Sequence, residues 1–198
     1  MKMIQRFCFL LLVLCAQKSL AQQKVVVKAK MVTVSERRNE IAYQAGRKLQ
    51  LSDFQGDEEP NVDAVAMAYT GVSLRYAGAM KNGVVTLEIK VYASFDKARS
   101  WCLPSSRNEW TLAHEQRHFD ITALNACALL REVQSYHFTK NFEQEIDALQ
   151  RKYKQKNEEE QDFYDSETNH GIEREVQLEW NEKIKKTIAE SSDCFGQS

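Results

Sequence analysis

Proline and glycine are scarce in this chain of 198 residues, two and seven respectively, so few positions force a turn and most of the backbone can run in regular elements. Neither sign of charge dominates: 27 Lys and Arg stand against 28 Asp and Glu, for a formal charge of −1. No basic stripe stands out in the linear sequence, and no nucleic-acid partner is expected. After the N-terminus no apolar run reaches the length of a bilayer-spanning helix, so no transmembrane segment is expected. None of the five cysteines falls in a C-x-x-C spacing, which argues against a cysteine zinc site. Internal repeats and low-complexity linkers are missing too, and one domain is the natural reading.

The N-terminus has the build of a secretory leader. Lys2 and Arg6 give a positive start, residues 7–16 form a short apolar run, and Ser19-Leu20-Ala21 fits a small-x-small cleavage site. Cleavage after Ala21 is expected, so that residues 1–21 are a signal peptide and residues 22–198 a single secreted or periplasmic domain. Loss of Lys2, Arg6 and Lys18 takes the formal charge from −1 to about −4. Cys102, Cys127 and Cys194 remain for an oxidising compartment, enough for one disulfide and one free thiol.

The first half reads as β. Residues 25–34 are rich in β-branched side chains, with Lys28 and Lys30 marking an edge or half-exposed face, and residues 41–51 predict a second extended stretch. Residues 64–77 and 84–95 flank Lys81-Asn82-Gly83, where Asn-Gly supplies the positive φ of a tight hairpin turn. Val85, Leu87, Ile89 and Val91 alternate with Thr86, Glu88 and Lys90, so one face is buried and the other wet.

Beyond Pro104 the period becomes helical. Ser106, with Glu109 as capping-box partner, predicts a helix over 107–135 with an apolar stripe of Leu112, Phe119, Ala123, Ala126, Leu130 and Val133. A second helix is predicted over 138–160 and a third over 172–189, joined by a polar connection at 163–171. The fold class is therefore α+β: a small antiparallel sheet packed against a zincin-like helix and a C-terminal helical pair.

The helix at 107–135 carries His114-Glu115-Gln116-Arg117-His118. Four residues apart, His114 and His118 share one helix face and can ligate one Zn²⁺, while Glu115 addresses the open position where a water binds. Such a carboxylate takes the proton of the attacking water. A metzincin arrangement is excluded, because Ile121 and Leu124 occupy the positions that would need a glycine and a further ligand. His170, in a polar loop beside Gly171, is the leading third ligand; Glu143, Glu173 and Glu175 stay open if the pattern is gluzincin-like, and His137 reads as a capping or surface histidine. Thr111, Thr122 and Asn125 share the histidine face as partners for the imidazole N–H groups or as ordinary packing. Asp120 points away from that face and suits a tie between helix and sheet. Tyr164 suits either an oxyanion donor or a core aromatic.

The run Leu112-Ala113-His114-Glu115-Gln116-Arg117-His118-Phe119-Asp120-Ile121 resembles the core motif of the bacterial secreted Zn-dependent proteases of the domain-of-unknown-function 922 group. Tyr164-Asp165, Thr168 and His170-Gly171 resemble that family's second motif, and residues 49–56 its upstream Leu-x-x-x-Asp-Phe-x-Gly element. The resemblance implies a zinc-dependent peptidase acting on a peptide or protein substrate. Two other readings compete with it. One is a non-catalytic envelope protein in which zinc only staples helix to loop; the other is a zinc hydrolase of another amide, such as a cell-wall peptide. Glu115 weighs against the staple, since a structural site needs no base beside its ligands.

Overall fold

The computed structural model describes residues 24–35, 37–60 and 64–195. The expected signal peptide at 1–21 lies outside the described residues.

Among the described residues six strands precede four helices. The strands are β1 (Lys24–Met31), β2 (Glu40–Ala42), β3 (Ala66–Met67), β4 (Thr70–Lys81), β5 (Val84–Asp96) and β6 (Trp101–Cys102). The helices α1 (Glu109–Ser135), α2 (Phe142–Thr168), α3 (Arg174–Glu190) and α4 (Ser192–Phe195) follow. The class is α+β, as the switch of hydrophobic period predicts. No helix among the described residues is long and apolar enough to cross a membrane.

β5 is the centre of the main sheet. β4 pairs with it antiparallel from Lys81 opposite Val84 to Thr70 opposite Phe95, closed by Asn82 and Gly83 at φ 51° and 77°. Two successive positive φ values are what an Asn-Gly hairpin turn requires. β1 pairs with β5 over Val84–Val91, and β2 pairs with β5 further along, over Ser94–Asp96. β1 runs parallel to β5, so the sheet is mixed and not purely antiparallel as predicted. Alternation tells which side chains point inward but not strand direction, and the long chain between β1 and β5 imposes no hairpin. The stretch predicted over 64–77 also divides: Ala66 and Met67 leave the main sheet and pair with Cys102 and Trp101.

The core forms between the inner face of β5, where Leu87, Ile89, Val91, Ala93 and Phe95 are buried, and the apolar stripe of α1, with Phe119, Ala123, Ala126 and Val133 at 2% exposure or less. α2 packs on α1 and β4, and α3 on α1 and α2. Asn108, not Ser106, caps α1, its side chain accepting from the Thr111 N–H at 3.0 Å, while Pro104–Ser106 make a 3₁₀ turn. α2 starts four residues later and ends eight later than predicted, so most of the expected polar loop is helix. It stops where Asn169, His170 and Gly171 are all left-handed, at φ 47°, 52° and 81°.

Cys127 on α1 and Cys194 on α4 form a disulfide across a sequence separation of 67, and Cys102 is a buried free thiol. A bridge closing a loop of that size restricts the unfolded chain by about 4 kcal/mol. Urea unfolding of Cys194→Ser should therefore show a midpoint well below wild type, and reductant should lower wild type to the same value. An unchanged midpoint would mean that the bridge adds nothing.

Candidate metal centre

His114 and His118 project from one face of α1 toward α2, and both are buried. Their Nε2 atoms stand 3.2 Å apart. A third atom completes a triangle: Oδ1 of Asp165, on the last turn of α2, lies 3.1 Å from His114 Nε2 and 3.0 Å from His118 Nε2. Among the described residues these three form the group able to hold a metal ion.

The rings are held from behind by two glutamines. Gln161, one turn before Asp165 on α2, donates through Nε2 to the His118 backbone oxygen and to Thr122 Oγ1, both at 2.9 Å, which turns its Oε1 toward His118 Nδ1. Gln177 on α3 donates to Asn181 Oδ1 at 3.1 Å and presents Oε1 to His114 Nδ1 at 2.8 Å. An acceptor at each Nδ1 places the ring proton there and leaves a lone pair on each Nε2. Three lone-pair atoms pairwise 3.0–3.2 Å apart repel unless a cation sits among them. With zinc–ligand bonds of about 2.1 Å, the edges of a tetrahedral site are about 3.4 Å long, a few tenths of an ångström more than the spacing here. The donor set fits zinc in chemistry and in spacing.

Electrostatics agree with that demand. Burial raises the Asp165 carboxyl, but hydrogen bonds from His114 and His118 outweigh it and hold the group well below the usual carboxylate range. Burial likewise lowers His118, yet the Asp165 hydrogen bond and the nearby Glu115 charge bring it up to about 9. Without a metal, a proton takes the cation's place.

Glu115 is buried at 4% exposure, and burial pushes its carboxyl up, an effect the neighbouring His118 and His114 charges partly reverse. One oxygen receives a backbone hydrogen bond from Ala68, while Oε2 has no partner among the described residues. A buried carboxylate oxygen without a partner is costly, and it is found where a ligand or water completes it. All four side chains line a cavity of about 380 Å³. One wall of it is the segment 64–70, the other is α2 from Asn157 to Asp165, and Trp110 and Thr111 lie at the start of α1.

His170, expected as third ligand, is not in the triangle. It lines the same cavity at the rim, its side chain 63% exposed and its Nδ1 3.6 Å from Asp165 Oδ2. Glu143, Glu173 and Glu175 are exposed and line no part of the cavity. His137 is exposed just beyond α1. Tyr164 is fully buried, stacked on His114 at 4.9 Å and hydrogen-bonded to Gln177, so it packs behind the rings and does not face the cavity. Thr122 acts through Gln161 and Thr70, and Asn125 bonds to Glu160 and the Ile121 carbonyl; neither touches an imidazole N–H.

Asp120 ties the helix to its surroundings as its direction predicts. It accepts from Tyr43 at 3.0 Å and Gln116 at 2.9 Å and pairs with Arg117. Gln116 also accepts from the Leu49 N–H at 2.7 Å, which fixes the upstream element to α1. Gly56 ends that element against the chain: a Cβ there would stand 2.7 Å from the Arg99 carbonyl oxygen. Gly171 closes the other motif with a left-handed φ that strains any side chain, and a Cβ there would crowd His114 Nδ1 at 3.1 Å. Trp110 pins this turn by donating to the Gly171 oxygen at 2.7 Å.

Comparison of the chain with family models, with curated proteins and with solved structures finds no significant match.

Proposed function

We propose that this protein is a secreted or periplasmic zinc metallopeptidase, with His114, His118 and Asp165 as ligands and Glu115 as general base. The observation that carries the reading is the lone-pair triangle set beside an unpartnered, buried Glu115 oxygen on one cavity. The resemblance of two of its motifs to the Zn-dependent proteases of the domain-of-unknown-function 922 group supports the same reading. The Cys127–Cys194 bridge suits an oxidising compartment.

The chain's own groups divide the chemistry. His114, His118 and Asp165 would hold the ion, and all three line the same cavity as Glu115. Zinc, when bound there, lowers the pKa of a water and polarises a carbonyl. Glu115, held in place by the Ala68 hydrogen bond, takes the proton of the attacking water on its free oxygen and passes it to the leaving amine. Its raised proton affinity suits both transfers. Gln161 and Gln177 keep each ring in the ligating tautomer throughout.

Purified protein should contain about one zinc per chain. It should cleave members of a broad peptide library, stop when a chelator removes the ion, and recover when zinc is restored. Protein that holds zinc fully and cleaves nothing would overturn the peptidase reading in favour of a zinc-stapled scaffold.

A further inference from the structure

The cavity beside the metal centre carries acidic groups that the centre itself does not use. Among the described residues its lining holds the carboxylates of Glu115, Glu158, Asp162 and Asp165, and no Lys or Arg. A divalent cation on His114, His118 and Asp165 would be balanced by the charges of Asp165 and Glu115. Glu158 and Asp162 stay outside that balance. The remaining histidine of the lining, His170, stands by Asp165, with Nδ1 3.6 Å from Oδ2.

Both of these acids belong to α2 and share the helix face of Asp165, since positions 158, 162 and 165 recur at helical spacing. Asp162 stands about 4.5 Å along the axis from Asp165, and Glu158 about 10.5 Å, at 1.5 Å per residue. Both are exposed. Glu158 has Lys154 at 3.8 Å, a pair worth little in water, whereas Asp162 makes no hydrogen bond or ion pair among the described residues. Other cations beside the lining are already engaged. Arg99 lies over the Tyr69 ring at 4.0 Å, where Glu59 also meets the hydroxyl, and Arg174 lies over the Trp110 ring at 4.8 Å. Exposed acids on a helix are common. These two differ in opening on the same cavity as the buried Glu115, whose Oε2 has no partner and is of the kind a ligand completes. The facing wall suits an extended chain. Val65 accepts from the Leu103 N–H at 2.8 Å, so antiparallel pairing turns the backbone groups of Ala66 the other way, toward the cavity it lines, and the Ala68 N–H meets Glu115.

We propose that the cavity selects peptides with a basic side chain close to the metal centre, Asp162 acting as its counter-ion with Glu158 one turn further out. The selection rests on the peptidase reading for the peptide and on Asp162 for the charge. An extended chain advances about 3.3 Å per residue, so a lysine or arginine within about two residues of the metal centre spans the turn between Asp165 and Asp162. An acidic side chain there would meet like charge instead. Exposed charges act in a high dielectric, so the preference is modest and falls as salt rises.

The test measures cleavage of matched decapeptides, blocked at both ends, that carry one lysine, glutamine or glutamate at each position in turn. Lysine close to the cut should raise kcat/KM about fivefold over glutamine, the upper range for one exposed ion pair, and about 25-fold over glutamate. Asp162→Asn should bring lysine and glutamine level, and Asp162→Lys should put glutamate ahead. Each variant is compared with itself on two peptides, so a general loss of activity or metal cancels. Glu159→Gln, the same charge change at a position of α2 that does not line the cavity, should keep the wild-type ratio. Zinc-loaded Glu115→Gln protein, binding the same peptides labelled with a fluorophore, gives the preference without turnover. A lysine preference in binding that added Asp162→Asn removes would uphold the proposal even if wild type cleaved nothing, a result that removes the peptidase reading alone. Lysine and glutamine handled equally, a preference that survives Asp162→Asn, or Glu159→Gln as impaired as Asp162→Asn would each overturn the proposal, and where wild type still cleaves, the peptidase reading would stand.

Discussion

Asp165→Asn should weaken zinc binding by at least about 100-fold, while His170→Ala should change it less than about tenfold. The two variants ask which group completes the His114–His118 pair. Asp165 Oδ1 lies 3.0–3.1 Å from both Nε2 atoms, and its charge is held by them. Asparagine keeps the volume and one oxygen but removes the negative charge that balances a divalent cation in a buried site. His170, with its side chain 63% exposed, has no such hold on the pair. Isothermal titration at neutral pH gives a second sign of the same chemistry. Because His118 is brought up to about 9, the metal-free site carries a proton that zinc displaces, so the apparent binding heat should vary with the ionisation heat of the buffer. The opposite result, zinc lost with His170→Ala and kept with Asp165→Asn, would make His170 the third ligand and remove Asp165 from the centre.

The difference between those two ligand sets shows what the linear sequence can carry. His114, Glu115 and His118 were legible because helical spacing alone puts them on one face, and local geometry needs no knowledge of the fold. Histidine is rare in this chain, so His170 stands out, whereas Asp165 is one of 28 acidic residues and the motif that contains it does not by itself say which of its residues ligates. Asp165 comes within reach of both imidazoles because α2 runs on to Thr168 and packs against α1. The residues that looked like a loop, Asn169-His170-Gly171, are the left-handed stop of that helix. Gln161 and Gln177 were missed for the same reason: they orient rings 43 and 63 residues away, and contacts of that range follow from packing. The hairpin over Asn82-Gly83 and the inward faces of β5 and α1 are readable from period and turn chemistry, but the parallel pairing of β1 depends on long-range register.

Glu115→Gln should lower peptide hydrolysis by about 10²–10⁴-fold while leaving zinc content unchanged. In activation free energy that is about 3–5 kcal/mol. Glutamine matches the size of the side chain and can still meet the Ala68 backbone, but it cannot accept a proton from water. Stability should be equal or slightly higher, and the sign follows from linkage. Burial raises the folded-state pKa of Glu115 above its unfolded value, so the ionised carboxylate costs stability as the pH rises past the unfolded pKa, and the neutral amide removes that cost. A variant that melts no earlier than wild type, keeps its metal and loses turnover separates proton transfer from architecture. His118→Ala provides the contrast: it should release zinc and lower thermal stability together, since it leaves Asp165 and Gln161 without their shared partner. If zinc only staples α1 to α2, Glu115→Gln would alter no activity whatever, and the buried unpartnered oxygen beside the ligand triangle would need another explanation.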